Sequence, residues 1–137
     1  MKEFDEKKNS KNIEKKLQSN LSKDEIIRKA FQFHSQGNIA EASKFYQFFI
    51  NQGFKDHRVF SNYGMILLNL GELKKAEIFT RKSIKLNPNY AMAYSNLGGI
   101  LKDLGKLQEA ELSTRKAIEL NPYDAMAYSN LACILKD

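Results

Sequence analysis

The stretch His57–Tyr90, HRVFSNYGMILLNLGELKKAEIFTRKSIKLNPNY, runs without a gap into Ala91–Asp124, AMAYSNLGGILKDLGKLQEAELSTRKAIELNPYD. Each block is 34 residues long, and the two agree at 17 of those positions. The chain then restarts at Ala125 with AMAYSNLACILKD, which departs from Ala91–Asp103 only at Ala132 and Cys133. Self-similarity at a fixed period of this length means supersecondary units stacked one on the next, not a single core closed on itself. Stacks of that kind present binding surfaces and seldom carry chemistry.

Within a block the pattern is that of two amphipathic helices. Tyr94, Leu97, Gly98 and Leu101 fall on one face at i, i+3, i+4, i+7; Ala110, Thr114, Ala117 and Ile118 form the matching face of the next segment. Gly37, Gly71 and Gly105 each follow a helix-favouring run and suit the left-handed residue that ends a helix. Asn87-Pro88 and Asn121-Pro122 mark the other boundary, since proline tolerates a helix start but not its interior. Ser22 with Glu25 makes a capping box ahead of the first periodic run. The expected helices are 23–36, 39–52, 57–70, 73–86, 91–104, 107–120 and 125–136. Links this short force neighbouring helices to pack as antiparallel pairs. Gly98 costs helix propensity, about 1 kcal/mol against alanine, so its purpose is packing. With Ala110 it lets two helix axes approach closely, and Gly64 with Ala76 does the same one period earlier.

These residues resemble a tetratricopeptide repeat. The third block supplies Tyr94, Leu97, Gly98, Leu101, Gly105, Ala110, Thr114, Ala117 and Pro122 to the family pattern. The second supplies Phe60, Tyr63, Gly64, Leu67, Gly71, Ala76, Thr80, Ser83 and Pro88. A more divergent first block, 23–56, keeps Ala30, Phe33, Gly37, Ala42, Tyr46 and Phe49, with Phe54 where proline is expected. The resemblance implies an all-α fold, an α-α superhelix (solenoid) of three units, 23–56, 57–90 and 91–124, plus a lone first helix of a fourth, 125–137. That last helix would leave Tyr128, Leu131 and Leu135 facing an absent partner. Either the chain is cut from something longer, or this face pairs with a second copy as a homodimer.

Bulk properties narrow the function. A composition of 42% hydrophobic and 28% charged residues is that of a soluble domain. No apolar run approaches the ~20 residues of a membrane span, and residues 1–16 lack the apolar core of a secretory signal. The lone Cys133 forms no intrachain disulfide, which suits a reducing, cytoplasmic setting. The net charge of +6 is diffuse, with six Lys against four acidic residues in 1–22, so no nucleic-acid footprint is expected. Residues 1–22 read as a disordered tail; alternatively, Ile13, Leu17 and Leu21 form the stripe of a short capping helix. His34 and His57 stand without a ligand cluster, and no phosphate loop or nucleophile elbow is present, so no catalytic, metal or cofactor site is expected. His34 reads as a groove or surface residue, His57 as a loop residue, and Cys133 as a small, partly buried thiol.

In the family, the first helices of successive repeats line a concave groove. The resemblance places Arg28, Ser61, Asn62, Met65, Met92, Ser95, Asn96, Lys102, Met126 and Asn130 on it. The recurring Ser61-Asn62, Ser95-Asn96 and Ser129-Asn130 resemble the asparagine ladder of the O-linked N-acetylglucosamine transferase superhelix. An asparagine amide offers a donor and an acceptor to one peptide unit, and methionines adapt to varied partners. On the other reading, these amides solvate the groove or bond a neighbouring helix. The family's clamp for C-terminal carboxylates of chaperones fits poorly, because Ile27, Phe31 and Met92 stand where it needs polar side chains. The expected function is a non-catalytic scaffold that binds extended peptide segments. Two alternatives stay open: a substrate-recognition arm of a longer glycosyltransferase or sulfotransferase, and a homo-oligomeric assembly factor.

Overall fold

The computed structural model describes residues 20–136; the readings of the 1–22 tail, Ile13 and Leu17 among them, fall outside these residues except at the last three positions. Seven helices and no strand occur among the described residues: α1 (Lys23–Ser35), α2 (Ile39–Asn51), α3 (His57–Asn69), α4 (Leu73–Leu86), α5 (Ala91–Asp103), α6 (Leu107–Leu120) and α7 (Ala125–Lys136). The architecture is an all-α helical repeat, with helix ends within one residue of those expected from the period. Two compact units are present, the first ending at Phe54 and the second beginning at Lys55.

In the first unit, α1 and α2 pair around Ile26, Ala30, Ala42, Tyr46 and Phe49, all nearly inaccessible to solvent. The Ser22 hydroxyl accepts from the Glu25 amide at 3.2 Å, the N-cap half of the capping box. His34 is half-buried against α2: its Nδ1 lies 2.8 Å from the Tyr46 hydroxyl, and the rings meet edge-on at 5.7 Å. Burial pushes its pKa below the usual histidine value. Ile27, expected on the open face, is buried as well.

The second unit holds the two near-identical repeats and α7. Asp56 caps α3, accepting from the Arg58 and Val59 amides at 2.8 and 3.4 Å and from Arg58 Nη2 at 2.9 Å. Burial pushes the Asp56 carboxyl up, and the hydrogen bonds and charge of Arg58 override it and hold the pKa below the ordinary value. The helix-ending turns use glycine in the left-handed region: at Gly71 and Gly105 φ is 78° and 79°. There the chain closes with paired bonds, such as Gly105 N to Lys102 O at 3.0 Å and Lys106 N to Leu101 O at 2.8 Å. Gly53, with φ of 81°, plays the same part at the end of α2, where the other repeats use Asn-Pro.

At Gly98 the two helices of a repeat come together. A Cβ there would overlap Thr114 Oγ1 and sit 3.5 Å from the Ala110 carbonyl; at Gly64 it would overlap Thr80 Oγ1. Thr114 fills the notch above the glycine and returns its hydroxyl proton to Ala110 O at 2.7 Å. Two further hydroxyls tie second helix to first: Ser83 Oγ donates to His57 O at 2.7 Å, and Ser113 Oγ donates to Tyr94 O at 2.9 Å. His57 is the first residue of α3, where the expected 57–70 helix begins, and its ring lies edge-on to Tyr90 at 4.7 Å. Between repeats, Arg81 reaches Glu109 at 3.2 Å and Lys106 reaches Glu77 at 3.0 Å. Exposed pairs of this kind add well under ~1 kcal/mol each. Apolar packing through Leu97, Leu101, Ala110 and Ile134 supplies the cohesion. α7 docks through Ala127 and Ile134, leaving Tyr128 and Leu135 about half exposed. Cys133 lies off that docking stripe and is exposed, where a partly buried thiol was expected.

Candidate functional site

α3, α5 and α7 together line a cavity of about 190 Å³. Met65, Ser95, Asn96, Lys102, Met126 and Asn130, all expected at the groove from the sequence, are part of its wall. Leu68, Asn69, Gly99 and Asp103 complete it. Leu68 was not expected at the groove, whereas Asn69, Asp103 and Gly99 share the expected groove face, and Gly99 forms the floor. With no side chain of its own, it leaves room under Asn130, whose Nδ2 lies 3.5 Å from where a Cβ would stand.

The remaining expected residues lie elsewhere. Met92 is exposed, with its sulfur accepting from the Tyr90 hydroxyl at 3.4 Å, and does not line this cavity. Arg28 belongs to the first unit and is exposed there. Asn62 is partly buried on α3. Ser61 lies fully buried beneath the wall.

The Ser-Asn ladder is built differently from the expected row of open amides. Asn96 is 2% exposed, and its Nδ2 donates to Ser61 Oγ at 3.0 Å and more weakly to Ser61 O at 3.4 Å. One period on, Asn130 Nδ2 donates to Ser95 O at 3.1 Å. Each asparagine thus reaches back to the serine of the preceding first helix and holds α5 to α3, then α7 to α5. Ser61, fully buried and off the cavity, is corrected from a ligand-facing residue to a support of the wall, while Ser95 and Asn96 both line the cavity and tie the helices together. The Nδ2 of Asn96 is committed to this tie, while its Oδ1 and the Ser95 hydroxyl, both buried at the cavity wall, have no hydrogen-bond partner among the described residues. Asn130, half-buried, keeps one side toward the cavity, together with Met65, Met126 and Lys102.

The cavity carries apolar side chains from Met65, Leu68 and Met126, amides from Asn69 and Asn130, and one charge of each sign, Lys102 and Asp103. No cluster of three metal-ligating side chains occurs among the described residues, and no helix among them is long and apolar enough to cross a membrane.

Residues 57–90 and 91–124 each match the tetratricopeptide repeat family. The chain is a tetratricopeptide repeat protein. No curated protein matches it in sequence. Its fold is similar to that of the Arabidopsis OM64 TPR domain, at 20% identity and a TM-score of 0.75, over 83% of this chain and 94% of the other. It is also similar to the first TPR of Spaghetti (RPAP3) bound to the HSP90 peptide SRMEEVD, at 25% identity and a TM-score of 0.72, over 81% and 88% of the two chains. The second TPR domain of human RPAP3, in complex with the HSP70 peptide SGPTIEEVD, matches at 25% identity and a TM-score of 0.71, over 82% and 93%.

Proposed function

We propose that the chain is a non-catalytic interaction module that holds an extended protein segment along α3, α5 and α7. The observation that carries this reading is the cavity shared by the three helices, whose wall contains six of the residues singled out from the repeat pattern. Peptides bound to the RPAP3 domains of the same fold support it. The wall's single cation, Lys102, is balanced by Asp103, so the cavity selects for apolar side chains and backbone amides more than for acidic residues. Methionines on two helices suit a ligand of variable sequence. The experiment is calorimetry on a peptide selected against the full chain. Met65→Ala with Lys102→Ala is expected to weaken binding about tenfold while leaving the helical circular dichroism intact, since both side chains are partly exposed. Affinity unchanged in that double variant rejects the reading.

A further inference from the structure

A second cavity, of about 400 Å³, opens where the last turn of α4 meets the start of α3, and it is lined by Lys55, Phe60, Lys82, Lys85 and Leu86. We propose that it binds an acidic segment of a partner protein that carries a large apolar side chain between its carboxylates. This site stands apart from the cavity along α3, α5 and α7 and does not depend on it.

Charge is the first argument. Three of the five lining residues are lysines, and the ion pairs of the described residues all go to other cations. Lys82 Nζ is instead held over rings, 5.0 Å from the Phe79 centroid and 5.9 Å from that of Phe60. Lys82 and Lys85 are spaced i, i+3, so their charges repel along one helix edge. The negative end of α4 accounts for Lys85, which lies in its last turn, but not for the other two.

The companion repeat supplies the second argument. One period later the three lysine positions read Asn89, Lys116 and Glu119, and Lys116 pairs with Glu119 at 3.6 Å. The charge that one repeat neutralises internally is left open by the other. A carboxylate from outside would take the place that Glu119 fills in the third repeat.

The apolar lining says what sits between the carboxylates. Leu86 is 44% exposed and borders the cavity, offering aliphatic surface to a leucine or phenylalanine. Phe60 is 5% exposed, so it has no open ring face on which a nucleic-acid base could stack. The basic character also stops at Glu119, where a phosphate backbone would need it to continue along the repeats.

The test is fluorescence anisotropy on the full chain with the labelled peptide EEDLFEDE, against the neutral QQNLFQNQ and the acidic but apolar-free EEDGGEDE. EEDLFEDE is expected to bind about tenfold tighter than either control and to weaken steeply as salt rises through about 0.1 to 1 M. Lys55→Gln with Lys85→Gln, both exposed positions, is expected to reduce its affinity about tenfold with an unchanged melting temperature, and Lys102→Ala is expected to leave it intact. Equal binding of the controls, absence of binding, or indifference to the double variant overturns the proposal. So does tighter binding to a twelve-nucleotide oligothymidine or to phosphatidylserine vesicles, or a loss caused by Lys102→Ala alone.

Discussion

The repeats 57–90 and 91–124 share their frame and differ in what fills it. In the second repeat the space between α3 and α4 is packed with rings: Phe79 stacks against Phe60 at 6.1 Å and meets Tyr63 edge-on at 5.1 Å. The corresponding trio in the third repeat is Ser113, Tyr94 and Leu97, and these line a cavity of about 330 Å³ with Ile84, Leu101 and Leu112. Yet the glycine notch, the alanine beside it, the threonine above it and the left-handed turn recur in both. The frame therefore rests on small residues and turn geometry, while the filling is free to vary with local cost.

Removing a ring from the filled repeat is expected to have the largest effect. Phe60→Ala should cost about 3–5 kcal/mol in urea unfolding, the range for truncating a buried phenylalanine, whereas Tyr94→Ala, at the partly exposed matching position, should cost distinctly less. Equal losses would show that the two fillings matter alike. The shared frame is tested by Gly98→Ala. Overpacking against Thr114 Oγ1 should cost about 1–3 kcal/mol, offset in part by the ~1 kcal/mol gain in helix propensity. In a Thr114→Ala background the same change should become neutral or favourable, a coupling that a double-mutant cycle measures directly. The smallest effect is expected from Ser113→Phe, which installs the second repeat's ring in the third. Burying a phenylalanine gains about 1.5–3 kcal/mol, and losing the Ser113–Tyr94 bond returns about 1 kcal/mol of that. A rise of several degrees in melting temperature, set against an unchanged or lower one, decides whether the 330 Å³ space is a missing ring.

The frame was legible in the sequence because its determinants are local and periodic. Gly71, Gly105 and the apolar spacings announce helix ends and faces, and Gly98 with Ala110 announces close approach; the coordinates add that Thr114 closes the notch. The tetratricopeptide resemblance also held. The site was legible only in part. The resemblance places Asn96 on the groove face of α5 but does not set how deeply α5 and α3 interlock, and that depth turns its Nδ2 into a tie to Ser61. Cys133 and His34 show the same limit in opposite directions, one exposed and one half-buried, because face is a property of spacing while depth depends on the neighbour. The lysine cavity escaped notice for another reason. Lys82 and Lys85, three residues apart on α4, have the spacing of any solvated helix edge, and only the fold brings Lys55 to line the same space.

The backward reach of asparagine to serine has a consequence for how such an array changes length. Each tie spans 35 residues, from Asn96 to Ser61 and from Asn130 to Ser95. The third block thus carries both the key for its predecessor, Asn96, and the keyhole for its successor, Ser95. A whole block copied in tandem arrives ready to latch at both ends, whereas residues inserted within a first helix would swing a key off the face that meets its lock. Growth in complete modules is a mode of elongation this latch tolerates.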